Sequence, residues 1–163
     1  MDSVLAHQVI DNFLELEDFK RIQTAVMSGV FPWYFNVGVA YKNSDDYYFV
    51  HTFYVDYSVR SDQFEILEPL IRKLDAKAII RIKANLYPNL HNFFINESHI
   101  DQEYSCKSAV LYLNTCNGYT QLGDDIIVNS VENRVLLFDS SKPHNSTHCT
   151  DQHARVTLNI NYF

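Results

Sequence analysis

Polar and apolar residues alternate without a break in the stretch Ala154-Arg155-Val156-Thr157-Leu158-Asn159-Ile160-Asn161-Tyr162. A period of two is typical of a β-strand, in which successive side chains point to opposite faces. One face of this predicted strand is therefore apolar, and the other face is entirely polar. If the polar face points into a barrel, the barrel has a polar interior, and such an interior usually holds a ligand.

The same alternation appears further back in the chain, from residue 77 onward. The apolar face there has Ile80, Ile82, Ala84 and Leu86, and the opposite face has Arg81, Lys83, Asn85 and Tyr87. Shorter stretches at 108–113, 125–131 and 134–138 also have the composition of strands. The second half of the chain is therefore predicted to be an antiparallel β-structure.

The first half of the sequence mixes helical and strand patterns. A helix is predicted at 17–29, with Gly29 as its C-cap, and strands at 31–41 and 47–57 are predicted to form a hairpin around the turn 43–46. Ser61 is the expected N-cap of a second helix, in which Pro69 either makes a kink or begins a new helix. Helices followed by many short strands predict a mostly β (α+β) domain, a jelly roll with supporting N-terminal helices. We expect one domain over 1–163, with support at 1–76 and the jelly-roll core at 77–163.

Composition excludes several classes of function. The 163 residues carry a net charge of −7 without a cluster of Lys and Arg, which argues against a broad nucleic-acid interface. No apolar stretch approaches the roughly 20 residues of a membrane span, and the first residues do not have the pattern of a signal peptide. The three cysteines form no CxxC pair, so we expect reduced thiols in a cytoplasmic protein rather than disulfides or a thiolate zinc site.

Three residues are candidate metal ligands. His99 and Asp101 are two positions apart, so in an extended segment both side chains point the same way. His144 follows a turn-like segment with a proline, which suits a rigidly held ligand. Two histidines and one carboxylate leave open positions on a metal and are diagnostic of non-haem Fe(II) oxygenases. His148 is the competing second histidine.

Arg155 lies on the polar face of the quoted strand, with ten residues between it and His144. A buried guanidinium needs an anionic partner, and the strand itself carries no acid. Either a dicarboxylate ligand or an acidic residue elsewhere in the fold would meet that need. Thr157 would add a hydroxyl to the same carboxylate.

These features resemble the Fe(II)- and 2-oxoglutarate-dependent dioxygenase superfamily, and within it the prolyl-4-hydroxylase-like branch. The resemblance covers residues 78–163 with motifs. The matching elements are His99-x-Asp101, His144, Arg155 after ten residues, Asn85-Leu86-Tyr87-Pro88, Leu111-Tyr112-Leu113-Asn114 and the Gly118 turn. Each motif is weak by itself, whereas their order and spacing are fairly specific.

The resemblance implies a double-stranded β-helix in which His99, Asp101 and His144 are the metal ligands and the catalytic residues. It implies that Arg155 binds 2-oxoglutarate with Tyr87, Tyr112 and Thr157, although Asn159 is an alternative to Thr157. Fe(II), the cosubstrates 2-oxoglutarate and dioxygen, and ascorbate are the expected cofactors. The expected reaction is hydroxylation, for example of a prolyl or other side chain of a protein or peptide, or of a small molecule. The oligomeric state stays open, a homodimer included.

Two other functions are compatible with the same jelly roll. A cupin-type metalloenzyme would bind a metal at this ligand set without 2-oxoglutarate, and a catalytically silent module would only bind a partner. Arg155 argues against the first, because a cupin-type site needs no fixed clamp for a dicarboxylate. The complete ligand set argues against the second.

Overall fold

The structure is a computed structural model that describes residues 7–37 and 47–163. The described residues form the following elements in chain order: β1 (Gln8–Ile10), α1 (Leu16–Val26), β2 (Tyr34–Val37), β3 (Tyr47–Val55), β4 (Ser58–Val59), a 3₁₀ turn (Phe64–Leu67), α2 (Glu68–Lys73), β5 (Ile79–Pro88), β6 (Lys107–Tyr112), β7 (Tyr119–Leu122), β8 (Ile126–Asn129), β9 (Val135–Asp139), β10 (His144–Ser146) and β11 (Ala154–Tyr162). None of the described helices is long and apolar enough to cross a membrane.

The strands form two antiparallel sheets. The large sheet has the order β1-β9-β6-β11-β5-β3-β2, with β4 paired to β3, and the small sheet has the order β10-β7-β8. Strand β11 pairs with β5 on one side and with β6 on the other. It has the bounds that the alternation predicts, and the arrangement confirms the predicted mostly β jelly roll.

The two faces of the large sheet have different surroundings. The apolar face of β11 and β5 packs against the helices in one core, which includes Phe19, Ile22, Leu67, Leu70, Ile82, Ala84, Val156, Leu158 and Ile160. Burying these side chains removes apolar surface from water, which is the main stabilising contribution to such a fold. The polar face of the same strands is therefore turned away from the helices, toward the small sheet.

Both predicted helices are present in the structure, but their ends and caps differ from the predictions. Helix α1 ends at Val26, and its C-cap is Met27, whose N–H donates to the Gln23 carbonyl, so Gly29 is not its cap. The second predicted helix is divided into the 3₁₀ turn and α2, and Pro69 lies in the first turn of α2, where its missing N–H costs nothing. The Ser61 hydroxyl accepts from the Gln63 N–H ahead of the 3₁₀ turn, and the N-cap of α2 is Leu67 rather than Ser61.

The predicted hairpin is present in part, and several short strands were not predicted. Strands β2 and β3 pair as expected, whereas the predicted turn at 43–46 and residues 38–41 of the predicted first strand lie outside the described residues. The sequence did not predict β1, β7 or β10, which have only three or four residues and thus show no period. The division into support (1–76) and core (77–163) stays a prediction, and β1, β2 and β3 of the first part join the large sheet.

Candidate metal centre and ligand pocket

A pocket lies between the two sheets, on the polar face of β5 and β11. Its lining residues are Tyr48, Arg81, Lys83, Asn85, Tyr87, His99, Ile100, Asp101, Val110, Thr120, His144, Ser146, Arg155, Thr157 and Asn159. Most of them are polar, as the alternation in the two strands predicts. The pocket has two distinct ends, one with the histidines and Asp101 and the other with Arg155.

The three candidate metal ligands meet at one end of this pocket. The ligand atoms of His99, Asp101 and His144 all lie within 4.8 Å of one another. The backbones of His99 and His144 form an antiparallel bridge with two N–H···O bonds of 2.9 Å, and the Asp101 N–H donates to Ser140 at 3.0 Å. These bonds fix the extended segment 99–101 beside β10. The side chains of His99 and Asp101 therefore point toward the side chain of His144.

Hydrogen bonds orient the two imidazoles. Nδ1 of His99 lies 3.3 Å from the Glu97 carbonyl, and Nδ1 of His144 lies 3.1 Å from the Lys142 carbonyl. A carbonyl accepts only from a protonated nitrogen, so these contacts favour the tautomer with a free Nε2. Nε2 of His144 lies 3.8 Å from an Asp101 oxygen. Burial, followed by the proximity of His144, lowers the pKa of His99 and keeps it neutral.

Three donors hold the Asp101 carboxylate. Arg81 donates to Oδ1 at 2.8 Å, while Asn161 and Ser108 donate to Oδ2 at 3.0 and 3.1 Å. Burial by itself would raise the pKa of Asp101, but the charges of His144 and Arg81 and the Asn161 amide outweigh it and lower the pKa to about 2. Asp101 is therefore ionised and oriented, as a metal ligand must be.

Arg155 is buried at the other end of the pocket, with only 1% of its surface exposed. It donates to the Thr147 carbonyl at 3.3 Å and to the Thr120 hydroxyl at 2.8 Å, while Nε has no hydrogen-bond partner. Its guanidinium lies 5.5 and 5.4 Å from the ring centres of Tyr87 and Tyr112. No carboxylate of the described residues forms an ion pair with it, so the alternative of an internal acidic partner has no support there.

The other residues expected near Arg155 surround it. Tyr87 stacks on Tyr48 with ring centres 5.6 Å apart, and burial raises the pKa of Tyr87 to about 12. The Tyr112 hydroxyl donates to the Val128 carbonyl at 3.4 Å, and burial raises its pKa as well. Thr157 faces the pocket and donates to Asn159 at 3.1 Å. Both tyrosines are therefore neutral hydroxyls beside the guanidinium.

The Gly118 turn brings backbone close to Arg155. A Cβ at this position would lie 2.6 Å from Arg155 Cδ and 2.8 Å from the His148 carbonyl oxygen. Only glycine fits here without moving a neighbour. The competing histidine, His148, is buried, and its Nδ1 lies 2.8 Å from the Pro88 carbonyl. It is not part of the metal-ligand cluster.

Sequence reasoning missed the residues that support Asp101. Arg81, Ser108 and Asn161 come from three different strands, and none was a candidate. A signal was present, since Arg81 and Asn161 lie on the polar faces of their strands and are opposite each other in register. Two polar faces on adjacent strands predict a shared polar site more strongly than one face does.

A second cluster of potential ligands lies outside this pocket. Cys116, Cys149 and Asp151 have ligand atoms within 4.8 Å of one another, and both thiols are free and buried. The expectation against a thiolate site came from the absence of a CxxC pair. The fold brings these two cysteines together from separate loops, which their spacing did not indicate.

The two ends of the pocket fit an iron ion and a dicarboxylate. Two imidazole nitrogens and one ionised carboxylate oxygen are the donor set that suits Fe(II) and leaves coordination positions open. A buried guanidinium with an unpartnered Nε suits a carboxylate, which the planar fork binds with two hydrogen bonds.

Comparisons with known proteins identify solved structures with the same fold. No family model and no curated protein matches the sequence. Among solved structures, a Trichoplax adhaerens prolyl hydroxylase in complex with a hypoxia-inducible-factor peptide is 19% identical, with a TM-score of 0.67 over 96% of this chain and 83% of the other. A 2OG-Fe(II) oxygenase from Burkholderia pseudomallei is 14% identical, with a TM-score of 0.70 over the same shares.

A Pseudomonas putida prolyl-4-hydroxylase is 15% identical, with a TM-score of 0.59 over 98% of this chain and 94% of the other. These identities are low, whereas the structural overlap extends over almost the whole chain. The chain therefore has the double-stranded β-helix fold of the 2-oxoglutarate–Fe(II) oxygenases and is similar in structure to their prolyl hydroxylases.

Proposed function

We propose that this protein is an Fe(II)- and 2-oxoglutarate-dependent dioxygenase that hydroxylates a side chain of a protein or peptide. The observation that carries this proposal is Arg155, a buried guanidinium without an acidic partner among the described residues, in the same pocket as His99, Asp101 and His144. A metalloenzyme without a dicarboxylate cosubstrate would leave that buried charge uncompensated.

The chain's own residues divide the work between the two ends of the pocket. His99, Asp101 and His144 would hold Fe(II), which with 2-oxoglutarate and dioxygen supplies the oxidation of a substrate C–H bond. Arg155 would bind the distal carboxylate of 2-oxoglutarate through its planar fork. The hydroxyls of Tyr87 and Thr157 face the same pocket and would complete the hydrogen bonds of that carboxylate.

Aromatic rings limit water near the cosubstrate. Tyr48 stacks on Tyr87, and both rings are nearly inaccessible to solvent. Tyr112 closes the other side of the guanidinium. Charge interactions between Arg155 and a carboxylate are stronger in such a site than in water, and side reactions with water are reduced.

A peptide substrate is supported by exposed apolar side chains at the pocket and on the segment that precedes it. Ile100 lies between two metal ligands and lines the pocket, yet it is 44% exposed, and Phe93 and Ile95 on the preceding segment are also exposed. Exposed apolar side chains beside a pocket are typical of binding surfaces. The similar Trichoplax adhaerens prolyl hydroxylase holds a peptide.

The proposal also covers the reductant, the cellular compartment and the oligomeric state. Ascorbate is the proposed reductant that keeps the metal as Fe(II). Cytoplasm is the proposed compartment, supported by three free cysteines. Light scattering tests the oligomeric state, for which a homodimer is one of the expected outcomes.

The test is succinate formation by the purified protein with Fe(II), 2-oxoglutarate, dioxygen and pools of proline-containing peptides. We expect succinate only when both iron and 2-oxoglutarate are present, with hydroxylated peptide detected by mass spectrometry. A folded, iron-loaded protein that binds no 2-oxoglutarate in calorimetry would overturn the proposal. That same result would indicate the cupin-type alternative.

A further inference from the structure

Two additional cations line the pocket at its metal end. Arg81 and Lys83 lie on the polar face of β5, opposite Asn161 and Asn159 of β11. Arg155 is opposite Tyr87, four residues further along β5 than Lys83, which corresponds to roughly 13 Å along the strand. The pocket therefore holds positive charge at both ends.

Lys83 has no ion-pair partner among the described residues. Arg81 is bonded to Asp101, whereas no hydrogen bond or ion pair joins the Lys83 ammonium to any residue that the structure describes. Lys83 is half-buried, and burial, followed by the charge of Arg81, lowers its pKa to about 8. At neutral pH the ammonium is still mostly charged, and leaving such a charge unpaired in a pocket is costly.

The proposed cofactors do not supply the missing anion. The pocket has three cations, Arg81, Lys83 and Arg155. The two carboxylates of 2-oxoglutarate and that of Asp101 carry three negative charges, which equal the charge of these cations before the metal is counted. Fe(II) then adds two positive charges at the end where Lys83 lies. One carboxylate of 2-oxoglutarate is taken by Arg155, and the other belongs with the metal, so Lys83 is still without an anionic partner.

We propose, building on the function proposed above, that Lys83 together with Arg81 forms a subsite for an anionic group of the substrate. The group is a carboxylate or a phosphate that lies near the oxidised carbon. Lys83 supplies a flexible point charge, and Arg81, held in place by Asp101, supplies a fixed one. The substrate is thus acidic, and Lys83 determines specificity rather than reactivity.

The experiment measures peptide binding without turnover. Protein loaded with Fe(II) and 2-oxoglutarate under nitrogen is titrated by calorimetry with three matched pools of proline-containing peptides. The pools differ only in having Asp and Glu, phosphoserine, or Asn and Gln beside the proline. The first two pools distinguish a carboxylate from a phosphate, and inorganic phosphate serves as a competitor.

We expect the wild type to bind one of the anionic pools at least about tenfold more tightly than the neutral pool. Lys83→Met, which keeps the length of the side chain and removes its charge, should lose this preference. Lys83→Arg should retain most of it. Melting temperatures of both variants confirm that they are folded, and 2-oxoglutarate affinity should be unchanged.

The outcomes separate the two proposals. Equal binding of the three pools, or binding of none, overturns the anionic subsite, as does an unchanged preference in Lys83→Met. A loss of 2-oxoglutarate affinity in Lys83→Met also overturns it, because Lys83 then binds the cosubstrate. The function fails instead if the wild type neither binds 2-oxoglutarate nor forms succinate.

Discussion

The two ends of the pocket differ in how their charges are balanced. At the metal end, Asp101 receives hydrogen bonds from Arg81, Asn161 and Ser108, so its charge is compensated before any ligand arrives. At the other end, Arg155 has neutral partners, and its Nε has none. The charge of Asp101 is therefore compensated without a ligand, whereas the charge of Arg155 is not.

The difference shows which buried charge needs a ligand as its partner. A buried charge with good internal partners is oriented and costs little further free energy. A buried guanidinium between two tyrosine rings is oriented but still lacks an anion. We therefore expect substitutions at the metal end to affect metal affinity, and substitutions of Arg155 to affect the cosubstrate alone.

The largest expected effect is loss of the metal in His99→Ala. Removing one of three ligands should weaken Fe(II) binding by more than about 100-fold, because even residues that only support ligands account for 10- to 100-fold. Metal content after gel filtration measures it. His153→Ala, an exposed histidine near Arg155, is the matched control and should bind iron normally. Equal iron content in both variants would remove His99 from the ligand set.

The second-largest expected effect is a loss of 2-oxoglutarate binding at the Arg155 end of the pocket. Arg155→Met should cost about 2–5 kcal/mol of 2-oxoglutarate binding while iron binding stays unchanged, since the cosubstrate carboxylate loses its charged partner. Its unfolding free energy without ligand should not fall, because the charge it removes is uncompensated. Calorimetry and urea unfolding measure the two quantities. Equal losses of iron and cosubstrate would show that the ends are not independent.

The third effect concerns a residue that supports a ligand. Asn161→Ala removes a hydrogen bond to Asp101 and should weaken Fe(II) binding by about 10- to 100-fold. Asn159→Ala is the matched control, because Asn159 lies on the same face and contacts Thr157 instead. Competition with a chelator measures both affinities. Similar affinities in the two variants would show that Asn161 does not position Asp101.

The sequence predicted the parts of this site that depend on local pattern. Strand β11 is long and strictly alternating, so its bounds and the position of Arg155 on its polar face followed from residue order. The spacing of His99 and Asp101 likewise placed two candidate ligands on one side of an extended segment. These predictions needed no knowledge of which strands are neighbours.

Other parts depend on long-range register and could not be predicted in the same way. Asn161 supports Asp101 only because β11 lies between β5 and β6, a pairing that no local pattern reveals. Strand β10, which carries His144, has three residues and shows no period. Cys116 and Cys149 meet through two loops. For Pro69 the sequence predicts either a kink or the start of a new helix, and the structure has it in the first turn of α2.

The smallest effect tests whether Asp101 is compensated without metal. Its pKa in the folded protein is about 2, below the usual 3.8, so the folded state binds fewer protons than the unfolded state in that range. Its contribution to stability is present above pH 3.8 and is lost as pH falls through about 2, a change of about 2 kcal/mol. Urea unfolding of the metal-free protein at several pH values between 5 and 2 measures this.

Asp101→Asn is the control for this pH dependence. Its amide oxygen still accepts hydrogen bonds but does not titrate, so the variant should lose less stability than the wild type over the same pH range. Other carboxylates contribute equally to both proteins and cancel in the difference. If both proteins lose the same free energy, then Asp101 is not stabilised as a charge by Arg81 and its neighbours. In that case the metal end would depend on its ligand as much as Arg155 does.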